Sequence, residues 1–555
     1  MLRSIFEPGT TRWAVRRAQW KSMGIKDEDF DKPKIAVINS SSTLSSCFIH
    51  LDDVSAAVQQ AIRDAGGVAF EVKTVASSDF ITSAGKKARY LMPTRDLIVN
   101  EIEVTIEGAL LDGMVCLSSC DKTTPAHLMA AARLDIPTII VACGYQTGGS
   151  CHGAPVDIDD VYESIGAFRC GQISLEHLTE LTDAAIQTPG VCAGLGTANT
   201  MHIIAEALGM TLPGSTPVLA GSRRMYEFAR NAGSRIVQMV QDDLRPRAVL
   251  NEASFRNAIA VDLAVGGSVN SVRHLAAIAT EAELPIDIIR LFEEMANQIP
   301  LLTAVRPNGP YRTEDLEAAG GTLSVMSRLE SKLDKSAISV SGVTVESILK
   351  VTNSIDDEVI RHIDRPFNTR PGIGILRGNL APDGSIVKLS AIPPELNLFE
   401  GPAAIFESED DAIASLGEGG IRPGQVIVLR GMGPKGGPGT VFAAGFVAAL
   451  NGAGLAGDVA VITDGELSGL NRGIVVGQLM PEAAEGGPLA VVQPNDFIRI
   501  DLLQRRIDLN VSVEELSNRL SAWTPPEKHA EKGWLSQYEQ LVQPIAKGAV
   551  LGKRG

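Results

Sequence analysis

The sequence predicts an α/β fold with an N-terminal open parallel sheet and flanking helices (residues 1–365), followed by a mostly β, barrel-like domain (residues 366–555). Three observations predict it. Short apolar runs alternate with amphipathic stretches over the first half, as in parallel strands joined by helices. Pro and Gly cluster in "IDRPFNTRPGIG", which marks a boundary. Beyond it, short β-rich runs are separated by turn residues, as in sandwiches and barrels.

The N-terminal elements follow one another in the order expected of parallel β-α units. "KIAVIN" is a strand, and "DDVSAAVQQAIRDAGG" is a helix that ends at a glycine pair, as helices commonly do. The strands "VAFEVKTV" and "DGMVCLSS" come next, then the helix "PAHLMAAARL" and the strand "PTIIVAC". "DAAIQTPGVCAGLGTANTMHIIAEALGM" indicates a helix, a Gly-rich loop and a second helix.

In the C-terminal part, five short runs predict strands: "GILRGN", "SIVKLS", "QVIVLRG", "LAVVQ" and "FIRIDL". The Ala-rich run from Val441 to Leu450 predicts a core helix. No apolar stretch reaches the roughly 20 residues that span a bilayer. The N-terminus has arginines but no apolar signal block, so we expect a cytoplasmic protein.

Composition excludes several classes of function. The formal net charge of −16 makes nucleic acid and anionic membranes poor partners, because phosphate binding needs clustered Lys and Arg. The 555 residues are too many for one hydrophobic core. Seven cysteines in a chain of this length are not a disulfide framework. A small-molecule ligand is therefore the expected partner.

Several reactive side chains come just after predicted strands. Ligands of open parallel sheets bind beyond the carboxyl ends of the strands, so these residues can line one crevice. They are Cys47, Asp79, Cys120, Asp121 and Lys122, and Cys192, which lies in a Gly-rich loop that opens a helix, can join the same crevice. The three cysteines lie far apart along the chain, unlike the paired ligands of zinc knuckles. The alternative is that they are unrelated core or loop cysteines.

Two glycine-rich stretches follow C-terminal strands. "RGMGPKGGPGT" lacks the order of a Walker loop, and it predicts either a tight turn or a row of amides that holds a carboxylate. "TDGELSGLNRG" contains Ser468. No histidine lies near Ser468 in the sequence, so hydrolase chemistry has no support.

Seven stretches in a fixed order resemble the dihydroxy-acid and sugar-acid dehydratase family (IlvD/Edd), over nearly the whole chain. They are "SSCDKTTP", "PGVCAGLGTANTM", "AVGGSVNS", "ILRGNLAPDGSIVK", "GPKGGPG", "TDGELSG" and "PEAAEGGPLAVV". The resemblance implies an α/β domain and a β-barrel-like domain with the active site between them. It also implies a homodimer or homotetramer.

The resemblance further implies an iron–sulfur cluster on Cys47, Cys120 and Cys192. Three thiolates leave one iron open as a Lewis acid for a substrate hydroxyl. They serve a two-iron or a four-iron cluster, of which the two-iron form is favoured. Asp79 and Asp121 match the family's Mg²⁺ ligands, and Lys122 matches a ligand that acts as a carbamate. Ser468 matches the base that removes the C2 proton of a 2,3-dihydroxy acid, which then becomes a 2-keto acid.

The chain departs from the family at four positions. Phe442 replaces a glutamate that ligates Mg²⁺, Met432 replaces an acidic residue, Gln478 replaces a frequent histidine, and Glu466 replaces a frequent arginine. Glu466 or Asp464 can take over the missing ligand role in an active dehydratase. The alternatives are a paralogue with altered or lost activity and a structural or regulatory iron–sulfur protein.

Two substrate classes fit these motifs. "TDGELSGLNRG" and "PEAAEGGPLAVV" are more similar to branched-chain members than to sugar-acid members. A branched-chain dihydroxy acid is therefore the first prediction, and an aldonate is the second.

Overall fold

The computed structural model describes residues 2–85, 88–169, 171–352, 356–437, 444–467, 472–525 and 532–552. The strands are β1 (Lys34–Asn39), β2 (Val68–Lys73), β3 (Gly113–Ser118), β4 (Thr138–Ala142), β5 (Gly149–Cys151), β6 (Ala154–Val156), β7 (Ile373–Leu376), β8 (Gly384–Lys388), β9 (Leu398–Phe406), β10 (Val426–Leu429), β11 (Ala460–Thr463), β12 (Val475–Met480), β13 (Phe497–Asp501) and β14 (Arg506–Leu509).

The helices of the N-terminal part are α1 (Thr11–Ser22), α2 (Leu51–Asp64), α3 (Asp79–Thr82), α4 (Leu91–Ala109), α5 (Thr123–Leu134), α6 (Ile158–Arg169), α7 (Leu175–Ala184), α8 (Thr197–Ala207), α9 (Arg223–Asp242), α10 (Pro246–Val249), α11 (Glu252–Val265), α12 (Asn270–Glu281), α13 (Ile288–Met295), α14 (Thr313–Ala318), α15 (Gly321–Arg328) and α16 (Val345–Leu349). Those of the C-terminal part are α17 (Glu409–Gly417), α18 (Ala444–Gly452), α19 (Val513–Ala522) and α20 (Trp534–Leu541).

The N-terminal sheet has four parallel strands in the order β2-β1-β3-β4. Every residue of the central strands β1 and β3 is buried, as expected for a parallel sheet covered on both faces. Helices α2, α5, α8 and α9 pack around it, and α11 and α12 extend the same core. The carboxyl ends of β1, β2 and β3 therefore open toward one edge of the sheet.

The C-terminal sheet has eight strands in the order β14-β13-β9-β10-β11-β12-β8-β7. Its centre, β9-β10-β11-β12, is parallel, and the flanking pairs are antiparallel. Parallel neighbours need crossover connections, and α17 and α18 lie between β9, β10 and β11 in the sequence. The sheet curves around a second apolar core that includes Val428, Ile462 and Ile500.

The predicted fold class is confirmed by this arrangement. One element differs, because "LAVVQ" forms a 3₁₀ turn over Pro488–Val491 instead of a strand. Pro488 starts that turn, where its fixed φ and missing N–H favour a helical first position. The Ala-rich run forms α18 from Ala444, and residues 441–443 lie outside the described part. Among the helices described above, none combines the length and apolarity that a membrane span needs.

Side chains of α12 connect the two parts of the molecule. Asn270 Nδ2 donates to the Leu467 carbonyl at 2.8 Å, and the Leu467 amide donates back to Asn270 Oδ1 at 3.2 Å. Arg273 Nε donates to Gln478 Oε1 at 3.2 Å, and Gln478 Nε2 donates to the Val269 carbonyl at 3.2 Å. These buried contacts hold the loop after β11 against the N-terminal sheet's open edge.

Candidate functional site

Three loops that carry Cys47, Cys120 and Cys192 are hydrogen-bonded to one another. Ser119 Oγ donates to the Cys47 carbonyl at 2.6 Å, which joins the first two loops. The Gly190 amide donates to the Ser46 carbonyl at 3.1 Å, which joins the first and third. The three loops that carry these cysteines are therefore neighbours in the fold.

Cys120 lies at the centre of this convergence. Its backbone φ of 66° is in the left-handed region, which is uncommon for a residue with a side chain, and the residue is 5% exposed. A hydrogen bond with the Cys47 thiol raises the pKa of Cys120, as do burial and the Cys47 and Asp121 charges, whereas the Asp79 amide lowers it. Burial, followed by the charges of Asp159 and Cys120, raises the pKa of Cys192. Without a bound cation, these thiols stay protonated.

Two carboxylates join Cys120. The donor atoms of Asp79, Cys120 and Asp121 all lie within 4.8 Å of one another. Burial raises the pKa of Asp79 well above its usual value, and the neighbouring Asp121 charge adds to that shift. The Oδ1 atoms of both aspartates are buried without a hydrogen-bond partner in the described part of the chain. Buried polar atoms are normally hydrogen-bonded, so these two unsatisfied acceptors are an exception, and their chemistry fits a bound cation.

Lys122 bridges two buried carboxylates. Its Nζ lies 2.9 Å from Asp121 Oδ2 and 3.3 Å from Glu466 Oε2, and neither Lys122 nor Glu466 has an exposed side-chain atom. Burial opposes the charged form of Lys122, but the charges of Asp121 and Glu466 outweigh it and raise the pKa of the ammonium. The Lys122 ammonium therefore contacts the same carboxylates that a bound cation would contact.

Glu466 also faces two residues that the sequence reasoning missed. Arg273 Nη1 lies 3.6 Å and His274 Nε2 lies 3.8 Å from Glu466 Oε1. Both follow the "AVGGSVN" segment at the start of α12, and a basic pair there was the available signal. Burial and nearby cations hold the pKa of His274 well below its usual value, so this histidine is neutral.

Asp464 is placed differently from Glu466. Its two oxygens accept hydrogen bonds from the Met432 and Ala483 amides, each at 2.8 Å. Both oxygens of Glu466 lack a hydrogen-bond donor among the residues described, although they lie near three basic side chains. Of the two candidates for a replacement ligand, Glu466 has the available oxygens.

The glycine-rich loop holds a carboxylate of the protein itself. The Lys435 and Gly436 amides donate to the Glu482 carboxylate, at 3.0 and 3.1 Å from Lys435 to its two oxygens and at 3.0 Å from Gly436. A Cβ at Gly433 would lie 2.1 Å from Glu482 Oε2, so any larger residue there would displace this carboxylate. The amide row predicted from the sequence exists, and in this structure Glu482 occupies it.

A cavity of about 950 Å³ opens beside this loop. Gly436, Gly437 and Met432 line one side, and Ala84 and Arg89 from the segment after α3 line another. Ala84 lies two residues beyond the end of α3, whose first residue is Asp79.

Three histidines near the site have structural partners. His50 Nε2 contacts the Cys143 carbonyl at 2.7 Å, His127 Nδ1 contacts Ser118 Oγ at 2.8 Å, and His202 Nε2 contacts the Ser118 carbonyl at 3.2 Å. Ser468 and Phe442 lie outside the described residues. The residue before Ser468, Leu467, is held by Asn270 as described above.

Comparison with known proteins gives the same family over both parts of the chain. The family models "Dihydroxy-acid/6-phosphogluconate dehydratase N-terminal" and "C-terminal" match residues 32–348 and 358–549. The chain is 42% identical to dihydroxy-acid dehydratase of Methanococcoides burtonii, over 97% of this chain and 98% of that protein. It is 41% identical to dihydroxy-acid dehydratase of Pyrococcus abyssi, over 99% of this chain and 100% of that protein. The chain therefore belongs to the dihydroxy-acid/6-phosphogluconate dehydratase family.

Proposed function

We propose that this protein is a hydro-lyase that converts a 2,3-dihydroxy carboxylic acid into a 2-keto acid and water. The observation that carries the proposal is the meeting of three cysteine loops with buried, unsatisfied carboxylates at the open edge of the N-terminal sheet. The relatives named dihydroxy-acid dehydratase support the reaction class.

The donor set fits two different inorganic groups. Cys47, Cys120 and Cys192 would hold an iron–sulfur cluster, for which thiolates are the usual ligands. Asp79, Asp121, Glu466 and a carbamate on Lys122 would hold Mg²⁺, which prefers hard oxygen ligands. When bound, these groups supply Lewis acidity to the substrate's oxygens. The orphaned Oδ1 atoms of Asp79 and Asp121 and both Glu466 oxygens support the second assignment.

In this proposal, Ser468 is the base. Its alkoxide takes the proton from C2, the C3–O bond breaks, and the departing hydroxyl with one proton gives water. The resulting enol then gains a proton at C3, loses the proton of its C2 hydroxyl and becomes the 2-keto acid. Asn270 would fix the backbone that presents the serine, because it binds both the amide and the carbonyl of Leu467.

We propose a branched-chain dihydroxy acid as the first substrate class, because "TDGELSGLNRG" and "PEAAEGGPLAVV" are more similar to branched-chain members. The relatives named dihydroxy-acid dehydratase support a dihydroxy acid in general. An aldonate is the second, because Met432 lines the cavity beside the glycine-rich loop where branched-chain members commonly have an acidic residue.

One experiment tests both substrate classes. Anaerobically reconstituted protein is incubated with a branched-chain 2,3-dihydroxy acid or with an aldonate, and 2-keto acid is measured. We expect product from the first, and Ser468→Ala should remove it while leaving the iron content unchanged. No product from either acid, with iron and sulfide fully incorporated, would contradict the hydro-lyase and favour a paralogue that has lost activity.

A further inference from the structure

A second group of metal-ligating side chains lies apart from the cysteines and carboxylates described above. It consists of Cys151, His152, His177 and Glu180, whose donor atoms all lie within 4.8 Å of one another. We propose that these four residues form a binding site for one transition-metal ion of the Zn²⁺ class. This inference does not depend on the proposed function, because the two sites share no residue.

A tight hairpin positions the first two residues. Strands β5 and β6 pair antiparallel with Cys151 opposite Ala154, which leaves His152 and Gly153 as a two-residue turn. Their φ angles of 50° and 81° are both positive, as a type I′ turn requires. A histidine in the left-handed region is uncommon, and here it directs the ring toward α7.

The first turns of α7 supply the other two residues. Ser174 caps this helix by accepting a hydrogen bond from the His177 amide. His177 and Glu180 are three residues apart, so their side chains share one face of the helix. Cys151 packs with Leu181 and Ala185 in a small apolar cluster that joins the hairpin to the helix. The thiol is thus fixed beside the imidazoles.

The distances already bring the donors around one point. His152 Nε2 lies 2.8 Å and His177 Nδ1 lies 3.5 Å from Glu180 Oε2, and the two rings stack with centroids 5.5 Å apart. Ligands of a tetrahedral Zn²⁺ stand about 3.4 Å from one another, given bond lengths near 2.1 Å. Small side-chain rotations are enough to convert one arrangement into the other.

The chemistry of the donors selects the class of metal. One thiolate, two imidazoles and one carboxylate suit Zn²⁺ and related ions, whereas Mg²⁺ and Ca²⁺ take oxygen ligands. Exposed histidine–carboxylate pairs add little to stability, so ion pairing alone gives no reason for this grouping. The His152 side chain is 67% exposed, so an ion can reach the site from solvent.

Metal binding would also cross-link the β5–β6 hairpin and α7, two segments that lead to the site of the cysteines and carboxylates. The hairpin and α7 are connected near their far ends, where the Gln187 amide donates to the Thr147 carbonyl at 3.0 Å. Residues 185–191 then run from α7 to Cys192. An ion bound between the turn of the hairpin and the start of α7 would fix the opposite end of this segment as well. It would therefore raise the unfolding temperature of the segment.

The test is Zn²⁺ titration of the full chain with its iron–sulfur cluster loaded, in competition with a chromogenic chelator. We expect one tightly bound ion per chain, and Cys151→Ser and His177→Ala should each weaken binding at least about tenfold. His362→Ala is the matched control, because His362 forms an exposed pair with Asp364 that belongs to no group of three or more metal-ligating side chains in the described part of the chain. Melting without added metal should be the same for His177→Ala, His362→Ala and the unchanged chain, whereas Cys151→Ser can melt lower because it buries a hydroxyl among apolar side chains.

A second measurement separates this site from the cluster cysteines. Co²⁺ bound through a thiolate gives a charge-transfer band, which should disappear in Cys151→Ser and persist in Cys120→Ser. The Co²⁺ band should persist in Cys120→Ser even if no iron–sulfur cluster can be loaded. Failure of the proposed function can therefore be distinguished from failure of this metal site. Unchanged Zn²⁺ affinity in Cys151→Ser and His177→Ala, or loss of the Co²⁺ band in Cys120→Ser alone, would overturn the proposal.

Discussion

Glu466 Oε2 lies 3.3 Å from Lys122 Nζ, and both side chains are wholly buried. The pair joins the loop after β11 to the start of α5, so each part of the chain supplies one member. With Asp121 and with Arg273, whose Nη1 lies 3.6 Å from Glu466 Oε1, the pair forms a group of two positive and two negative charges, which a carbamate on Lys122 would make strongly negative. We therefore propose that modification of Lys122 and cation binding are linked.

The first prediction concerns Glu466. Glu466→Gln should lower Mg²⁺ affinity at least about tenfold, because a carboxylate is a much better ligand than an amide for a hard cation. In the metal-free protein it should cost about 3–5 kcal/mol of stability, since it removes one partner from a buried charge network. Isothermal titration and thermal melting measure the two effects.

Glu227→Gln is the matched control for Glu466, because Glu227 pairs with Arg223 at the exposed surface. It should change neither quantity by a measurable amount. An unchanged Mg²⁺ affinity in Glu466→Gln would show that Glu466 is a structural counter-ion of Lys122 and not a metal ligand.

The second prediction distinguishes cluster ligands from core cysteines. Cys120→Ser should abolish iron and sulfide incorporation, because a serine hydroxyl is a poor substitute for a thiolate. Cys116→Ser, four residues earlier in β3, should retain the cluster, since Cys116 is a buried strand residue whose pKa burial raises far above its usual value. Iron and sulfide analysis after anaerobic reconstitution gives the answer. Equal loss in both variants would remove the assignment.

Much of this site follows from strand positions in the sequence. Cys47 and Cys120 come after predicted parallel strands, and the carboxyl ends of such strands meet at one edge. Cys192 was harder to place, because it follows a helix; it reaches the site through a β-bridge of Val191 with Tyr145, beyond β4. That pairing depends on tertiary contacts and has no local signal.

The parts that the sequence could not predict are those that join distant segments. Neither spacing nor periodicity shows that Arg273 and His274 face Glu466, since the contact forms only when the two sheets pack together. The same holds for Glu482. Its hydrogen bond with the glycine-rich loop distinguishes the two alternatives for that loop, a tight turn or a row of amides that holds a carboxylate. Contacts between residues close in the sequence have a local signal, whereas contacts between the N-terminal and C-terminal parts of the chain have none.

The third prediction concerns Asn270. Asn270→Ala should reduce kcat at least about tenfold with little change in KM, because it frees the Leu467 backbone beside Ser468 without altering the cavity wall. The lost buried hydrogen bonds should cost about 1–3 kcal/mol. Steady-state kinetics on the preferred acid, with iron content checked, measures the first effect.

Asn257→Ala is a close control for Asn270. Asn257 is also buried and exchanges two hydrogen bonds with the backbone of Asp334, at 2.9 and 2.8 Å, in the N-terminal core. It should lose similar stability and keep its kcat. If both variants lose kcat in parallel, the effect of Asn270 is one of stability alone.

The fourth prediction is a loss of stability in acid that comes from two buried histidines. Burial lowers the pKa of His127 to about 3, and burial lowers the pKa of His202 to about 4 despite its bond to the Ser118 carbonyl. Both are neutral in the folded state at neutral pH, whereas in the unfolded chain they gain protons below about pH 6.5. Their effect on stability is therefore absent above pH 6.5 and grows as the pH falls toward 4. Each histidine should cost about 1.4 kcal/mol per pH unit in that range.

Melting temperatures at pH 7 and pH 5 test this prediction. His127→Gln removes the titrating group and keeps an amide that can bond Ser118 Oγ, so the variant should lose less stability on acidification than the wild-type chain. His362→Gln, which replaces a half-exposed histidine, should retain the wild-type difference between the two pH values. Because carboxylates also lose their charge in acid, the comparison depends on the difference between variants and not on the absolute slope. Equal slopes in His127→Gln and the wild-type chain would mean that His127 accepts its proton in the folded state, and that its environment is less apolar than its complete burial indicates.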